Sequence, residues 1–129
     1  MKIKLRKIKE TPDLSYMFKE YDSIVNIKGI TWKPKNISSM FELYKFLERI
    51  SDISILGTSN VIDMNSLFDD CCSLLSLPDI SNLNTSKVKD MRLMFNKSEK
   101  LSFLPDISKW NIENVNAISA IFQRCSFIQ

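Results

Sequence analysis

Apolar and polar positions along this chain recur with a period of 27 residues. Phe41, Phe68, Phe95 and Phe122 mark the period, and the columns beside them match in chemistry: Ile37, Met64, Met91 and Ile118; Met40, Leu67, Met94 and Ile121; Leu47, Leu74, Leu101 and Ile128. A fixed period of this size marks stacked repeats, in which each unit covers the apolar side of the next. Within one unit Val61, Met64, Leu67, Phe68 and Cys71 form a stripe at helical spacing, and Val88, Met91, Met94 and Phe95 repeat it. Thr58, Ser59 and Asn60, then Thr85 and Ser86, then Asn114, precede these stretches as residues that cap exposed amides. Asp63 and Asp90 follow where a carboxylate suits the start of a helix. The spacing therefore predicts short helices of about three turns.

The second half of each unit reads differently. Leu74, Leu77, Ile80 and Leu83 align with Leu101, Leu104, Ile107 and Trp110, and with Leu47, Ile50, Ile53 and Leu56 upstream. This is the leucine-rich-repeat pattern with one extra residue, Pro78 or Pro105, and it predicts short parallel strands with a bulge at the proline. The expected fold class is thus α/β: a leucine-rich-repeat-like solenoid of about four units, strands on one face and helices on the other. Its single domain, 1–129, divides into a cap strand at 1–10, units at 11–36, 37–60, 61–87 and 88–114, and a truncated last unit at 115–129. Phe18 precedes Phe41 by only 23 residues, so the first unit is shortened, with the loss expected in the segment from Ile30 to Asn36.

Composition narrows the function. A net charge of +3 with 26% charged residues is an ordinary solvated surface, and a nucleic-acid binder of this size carries more positive charge interleaved with exposed aromatics. The basic cluster Lys2, Lys4, Arg6, Lys7 and Lys9 is threaded by Ile3, Leu5 and Ile8, and reads as an edge strand guarded by lysines. No apolar run reaches the roughly 20 residues of a membrane span, and the basic start leads into no cleavable leader, so a cytoplasmic protein is expected. The three cysteines, Cys71, Cys72 and Cys125, read as free and mostly buried thiols. With no histidine, no paired-cysteine motif and two glycines in all, the chain offers neither a zinc site, a phosphate loop nor a catalytic constellation. The expectation is a protein that is not an enzyme and needs no cofactor.

Three phrases, Asn60 to Phe68, Cys71 to Leu74, and Leu104 to Asn111, carry a resemblance to the BspA-like leucine-rich repeats, the bacterial surface-protein repeat of about 26 residues. The resemblance implies a right-handed α/β solenoid used for binding, as in surface adhesins, and names no activity.

Candidate binding residues are the outward positions of the strand pattern, expected on a concave sheet face: Arg49, Asp52, Ser54 and Ile55; Ser76, Asp79, Ser81 and Asn82; Phe103, Asp106, Ser108 and Lys109. Asp52, Asp79 and Asp106 form one column and Ser54, Ser81 and Ser108 another. Stacked carboxylates repel unless bonded, so three readings stand: each Asp accepts backbone amides of its own turn, the column holds a calcium ion, or it meets a partner. Tyr16, Tyr21, Tyr44 and Trp32 are candidates for exposure, whereas Trp110, in register with Leu56 and Leu83, is expected at a buried corner. Taken together these features predict a non-enzymatic protein-interaction scaffold, the alternatives being an adhesin-type surface module or a structural piece of a longer array. The last unit has no following neighbour in the sequence, which predicts end-to-end self-association.

Overall fold

The computed structural model describes residues 13–19, 33–46, 57–77, 79–104 and 106–126. Equivalent residues of successive units stand on one another. Single parallel bridges run Asp13 to Asn36, Asn36 to Asp63, Asp63 to Asp90 and Asp90 to Ala117, following the sequence period, including the shortened first step. The phenylalanine column is a continuous stack: ring centroids from Phe18 to Phe122 are spaced 5.6, 5.5, 5.6 and 5.5 Å, with neighbouring planes between 4° and 16° apart.

The expected secondary structure is not there. Among the described residues the one helical element is a 3₁₀ turn at Thr58–Asn60, and pairing between coils takes the form of isolated bridges rather than strands in a sheet. This overturns the α/β class with helices on one face and strands on the other. The backbone supplies the reason. Ser39 and Leu43, Ser66 and Asp70, Leu93 and Lys97, and Ala120 and Arg124 all have φ between 53° and 64°, as does Tyr16. A right-handed helix admits no such residue, so each supposed helix is interrupted twice, four positions apart.

These left-handed residues turn every second amide out of its own coil and towards the next. Met64, Ser66, Phe68 and Asp70 donate to the carbonyls of Asp90, Arg92, Met94 and Asn96 at 2.9, 2.8, 2.9 and 2.9 Å. Met91, Leu93, Phe95 and Lys97 donate in the same way to Ala117, Ser119, Ile121 and Gln123 at 2.8, 3.1, 2.9 and 2.8 Å. Of the amides between them, two bond within the coil: Asn65 N–H to the Asp63 carboxylate at 2.9 Å, and Asp69 N–H to the Ser66 carbonyl at 3.0 Å. The apolar stripe that reads as one helical face is therefore the inner lining of a coil built from turns, bonded to its neighbours at alternate positions.

Between the coils lies one continuous core, which contains Met40, Met64, Met91 and Met94, Leu67 and Leu74, and Phe18, Phe68 and Phe95, all at most 1% exposed. Polar side chains tie it together from inside. Cys71, Ser98 and Cys125 share one repeat position, and each donates to the carbonyl of a phenylalanine in the preceding coil: Cys71 Sγ to Phe41 at 3.0 Å, Ser98 Oγ to Phe68 at 3.1 Å, Cys125 Sγ to Phe95 at 3.0 Å. All three cysteines are free, with Cys71 and Cys125 buried. Burial pushes the Cys71 thiol up to about 12 and raises Cys125 as well, so both act as small donors in the core rather than as nucleophiles. Trp110 sits at the expected corner, 9% exposed, and its Nε1 donates to the Ile80 carbonyl at 3.0 Å. Tyr44 departs from expectation: it is 2% exposed and packs edge-on against Phe41, while Tyr16 is exposed.

Candidate functional site

Because no sheet forms among the described residues, there is no sheet face to bind with; the candidate residues lie instead on turns at the surface. Arg49, Asp52 and Ser54, with Ile55, fall outside the described residues, as do Pro78 and Pro105, Tyr21 and Trp32, and the expected cap strand at 1–10. The remaining candidates occupy equivalent turns in two successive coils. Asp79, Asn82, Phe103, Asp106, Ser108 and Lys109 are exposed and Ser81 is half-buried.

Each Asp organises its own turn. Asp79 Oδ1 accepts the Ser81 N–H at 2.9 Å; Asp106 Oδ1 accepts the Ser108 N–H at 2.9 Å and the Ser108 hydroxyl at 2.6 Å. The Ser hydroxyl and then its amide hold both carboxyls below their ordinary range, and Lys109 lowers both further. Asp79 and Asp106 are thereby fixed as anions at the surface, each bonded to the residue two positions on. The same device recurs around the coil. Asp13, Asn36, Asp63, Asp90, Asn84 and Asn111 each accept the amide of the residue two positions later. This is the Asx turn, a side-chain imitation of a backbone turn. Among the described residues no group of three or more Cys, Asp or Glu side chains is placed to hold a metal ion.

The surface beside these turns is apolar. Phe103 is 78% exposed, Leu104 44% and Leu75 40%. Sequence reasoning placed Phe103 here but assigned Leu104 to the core, because it is in register with Leu77, which packs against the core; no feature of its side chain distinguishes the two. Leu75, in register with Ser102, was missed altogether.

A second polar column, also missed, runs along the position after each phenylalanine: Lys19, Glu42, Asp69, Asn96 and Gln123. Lys19 Nζ meets Glu42 Oε1 at 3.0 Å, and the Asn96 amide donates to Asp69 Oδ1 at 2.8 Å. Partial burial raises Asp69 above the ordinary carboxylate range, Asn96 opposing and the Glu42 charge reinforcing the rise. A raised folded value means that the fold holds this proton more tightly than the unfolded chain does. The Asp69 contribution is present in full below its unfolded value and is lost as pH rises through the folded one. Asp69→Asn is therefore expected to raise the melting temperature at neutral pH and to have no such effect in acid; thermal melts across that range check it, and an equal shift at every pH would contradict it.

A family model described as Mycoplasma protein of unknown function, DUF285, matches residues 12–129. The chain belongs to this family. Its matched span contains all the coils described above and the Asp–Ser turns at Asp13, Asp79 and Asp106. Among curated proteins and solved structures, none matches the chain. No helix among the described residues is long and apolar enough to cross a membrane.

Proposed function

We propose that this chain is a non-enzymatic scaffold that binds a protein partner through the exposed surface around Asp79, Ser81, Asn82, Phe103, Asp106, Ser108 and Lys109, with Arg49, Asp52 and Ser54 in the same sequence columns. The observation that carries the reading is Phe103, a large aromatic ring 78% exposed beside Leu104 and flanked by turns whose polar groups are already held by their own carboxylates. Exposed aromatics on a rigid frame are the anchors from which interfaces draw most of their free energy. Preorganised turns limit the ordering cost on association. The resemblance to BspA-like repeats supports a binding role, and the net charge of +3 favours neither nucleic acid nor a membrane surface. Free thiols suit a reducing compartment, and the cytoplasm is the location we propose.

The test is capture from lysate with two baits, the unaltered chain and Phe103→Asp, with Glu113→Gln as a control. A protein retained by the chain and by the control, but at least about tenfold less by Phe103→Asp, supports the reading, since losing a central anchor costs about 2 kcal/mol or more. Retention unaffected by Phe103→Asp would contradict it. Binding instead to immobilised extracellular-matrix proteins, removed by the same substitution, would place the partner outside the cell and make the chain an adhesin-type module.

A further inference from the structure

A basic surface crosses three successive coils. Just before the Asx turn each coil carries a matching triplet: Lys33, Pro34 and Lys35; Asn60, Val61 and Ile62; Lys87, Val88 and Lys89. The central residue of each triplet is buried and the residue after it is exposed, the alternation of extended backbone. Hydrogen bonds hold the triplets in register: Ile62 N–H donates to the Lys35 carbonyl at 2.8 Å, and Lys89 N–H to the Ile62 carbonyl at 2.8 Å. Lys33, Lys35, Lys87 and Lys89 therefore share one face, a pair on each side of Asn60 and Ile62.

These charges repel one another. Lys35 and Lys89 stand two coil steps apart, about 10 Å, which is about one Debye length at physiological salt. The chain's own acids give no relief, since among the described residues none of the four lysines pairs with a carboxylate. Asp63 and Asp90, which follow Ile62 and Lys89 in sequence, are committed to their own turns: Asp63 accepts the Asn65 N–H at 2.9 Å, and Asp90 accepts the Arg92 N–H and Nε, each at 3.0 Å. Lys87 Nζ meets a neutral group, the Asn60 side-chain oxygen at 2.9 Å.

The centre of the face selects among anions. Ile62 is 41% exposed between Lys35 and Lys89, and a phosphodiester backbone leaves that apolar surface unused. Single-stranded nucleic acid also calls for aromatic side chains on which bases stack, and the outward residues of the three triplets include none. At about 1 kcal/mol for each lysine, a membrane surface would be held weakly. An extended acidic peptide uses both features. Its alternate side chains are about 7 Å apart, so carboxylates on either side of one apolar residue reach Lys35 and Lys89 through their flexible stems while the apolar residue covers Ile62.

We propose that the face of Lys33, Lys35, Ile62, Lys87 and Lys89 binds an extended acidic protein segment with an apolar residue between its carboxylates. Binding there does not depend on the Phe103 surface.

The experiment is fluorescence anisotropy on the full chain at low salt, with a labelled peptide that alternates glutamate with serine and carries leucine in place of its central glutamate. The peptide is expected to bind. Lys35→Gln with Lys89→Gln should weaken it about five- to tenfold, the scale of two exposed ion pairs, whereas Lys45→Gln with Lys100→Gln, the same change of charge at other exposed lysines, should leave it unchanged. Replacing the peptide's leucine by serine should weaken binding to the unaltered chain and have no effect on Ile62→Ser, a comparison on the peptide side that loss of folding cannot imitate. No binding of the peptide, equal losses in the two lysine pairs, or a peptide bound equally well without its leucine would each overturn the proposal. Tighter binding of a polyuridine oligonucleotide, or of vesicles of phosphatidylserine and phosphatidylcholine, would overturn it too, by showing that the face takes phosphate in place of carboxylate.

Discussion

Replacing Phe95 by alanine should cost about 3 to 5 kcal/mol of folding stability. Phe95 is fully buried, its ring held between Phe68 at 5.6 Å and Phe122 at 5.5 Å, with planes within 8° of each. Removing it deletes the transfer free energy of a large side chain and two ring contacts, each worth about 0.5 to 1.5 kcal/mol beyond area. The gap cannot readily close, because the backbone on either side is pinned: Phe95 N–H to Ile121 at 2.9 Å, Phe68 N–H to Met94 at 2.9 Å. Coils that touch only their neighbours pass the loss along the stack, so the unfolding transition should also broaden. Urea melts measure both effects; a loss below about 1 kcal/mol would mean that the column is not the core.

Leu93→Pro should be comparably damaging, at about 3 kcal/mol or more, for a different reason. Leu93 has φ of 57°, and its amide donates to Ser119 at 3.1 Å. Proline fixes φ near −65° and has no amide hydrogen, so it reverses the turn and breaks the junction to the last coil together. The expected outcome in urea is loss of the cooperative transition for the region C-terminal to the substitution. A variant as stable as the parent chain would show that the left-handed turn at this position does not hold the coils in register.

How far the sequence discloses this architecture depends on which property is asked of it. The stacking register was fully legible: Phe41, Phe68, Phe95 and Phe122 stand in register, and their rings are stacked. Local conformation was misread. Apolar residues at Val61, Met64, Leu67, Phe68 and Cys71 satisfy a helical stripe, but the same spacing lines the inside of a coil when Ser66 and Asp70 turn left-handed. Only one signal hinted at this. Residues such as Ser66, Leu93 and Ala120 share no preference for positive φ, so side-chain identity at that position conceals the turn. The Asx residues, by contrast, are visible: Asp or Asn followed two places later by Ser recurs at Asp13, Asn36, Asp79, Asn84 and Asp106, each accepting that Ser amide. For Asp79 and Asp106 the sequence already offered this reading, a carboxylate accepting the amides of its own turn, and the same device marks turns throughout the coil. On the candidate site, the sequence found Phe103 and the Asp–Ser pairs but expected a sheet beneath them. Leu75 and Leu104 were lost because apolar residues at a surface resemble core residues in every local respect.

The central claim, that the apolar stretches are turn-built coils rather than helices, is tested most directly at Lys97, whose φ is 56° and whose amide bonds to Gln123 at 2.8 Å. The measurement is the difference in unfolding free energy between Lys97→Gly and Lys97→Ala. Both variants lose the same side chain, so the difference isolates the backbone. A left-handed position predicts that the glycine variant is the more stable by about 1 kcal/mol, because alanine there pays the steric cost that glycine escapes. A helix predicts the reverse, alanine more stable by about 1 kcal/mol, and that result would contradict the account.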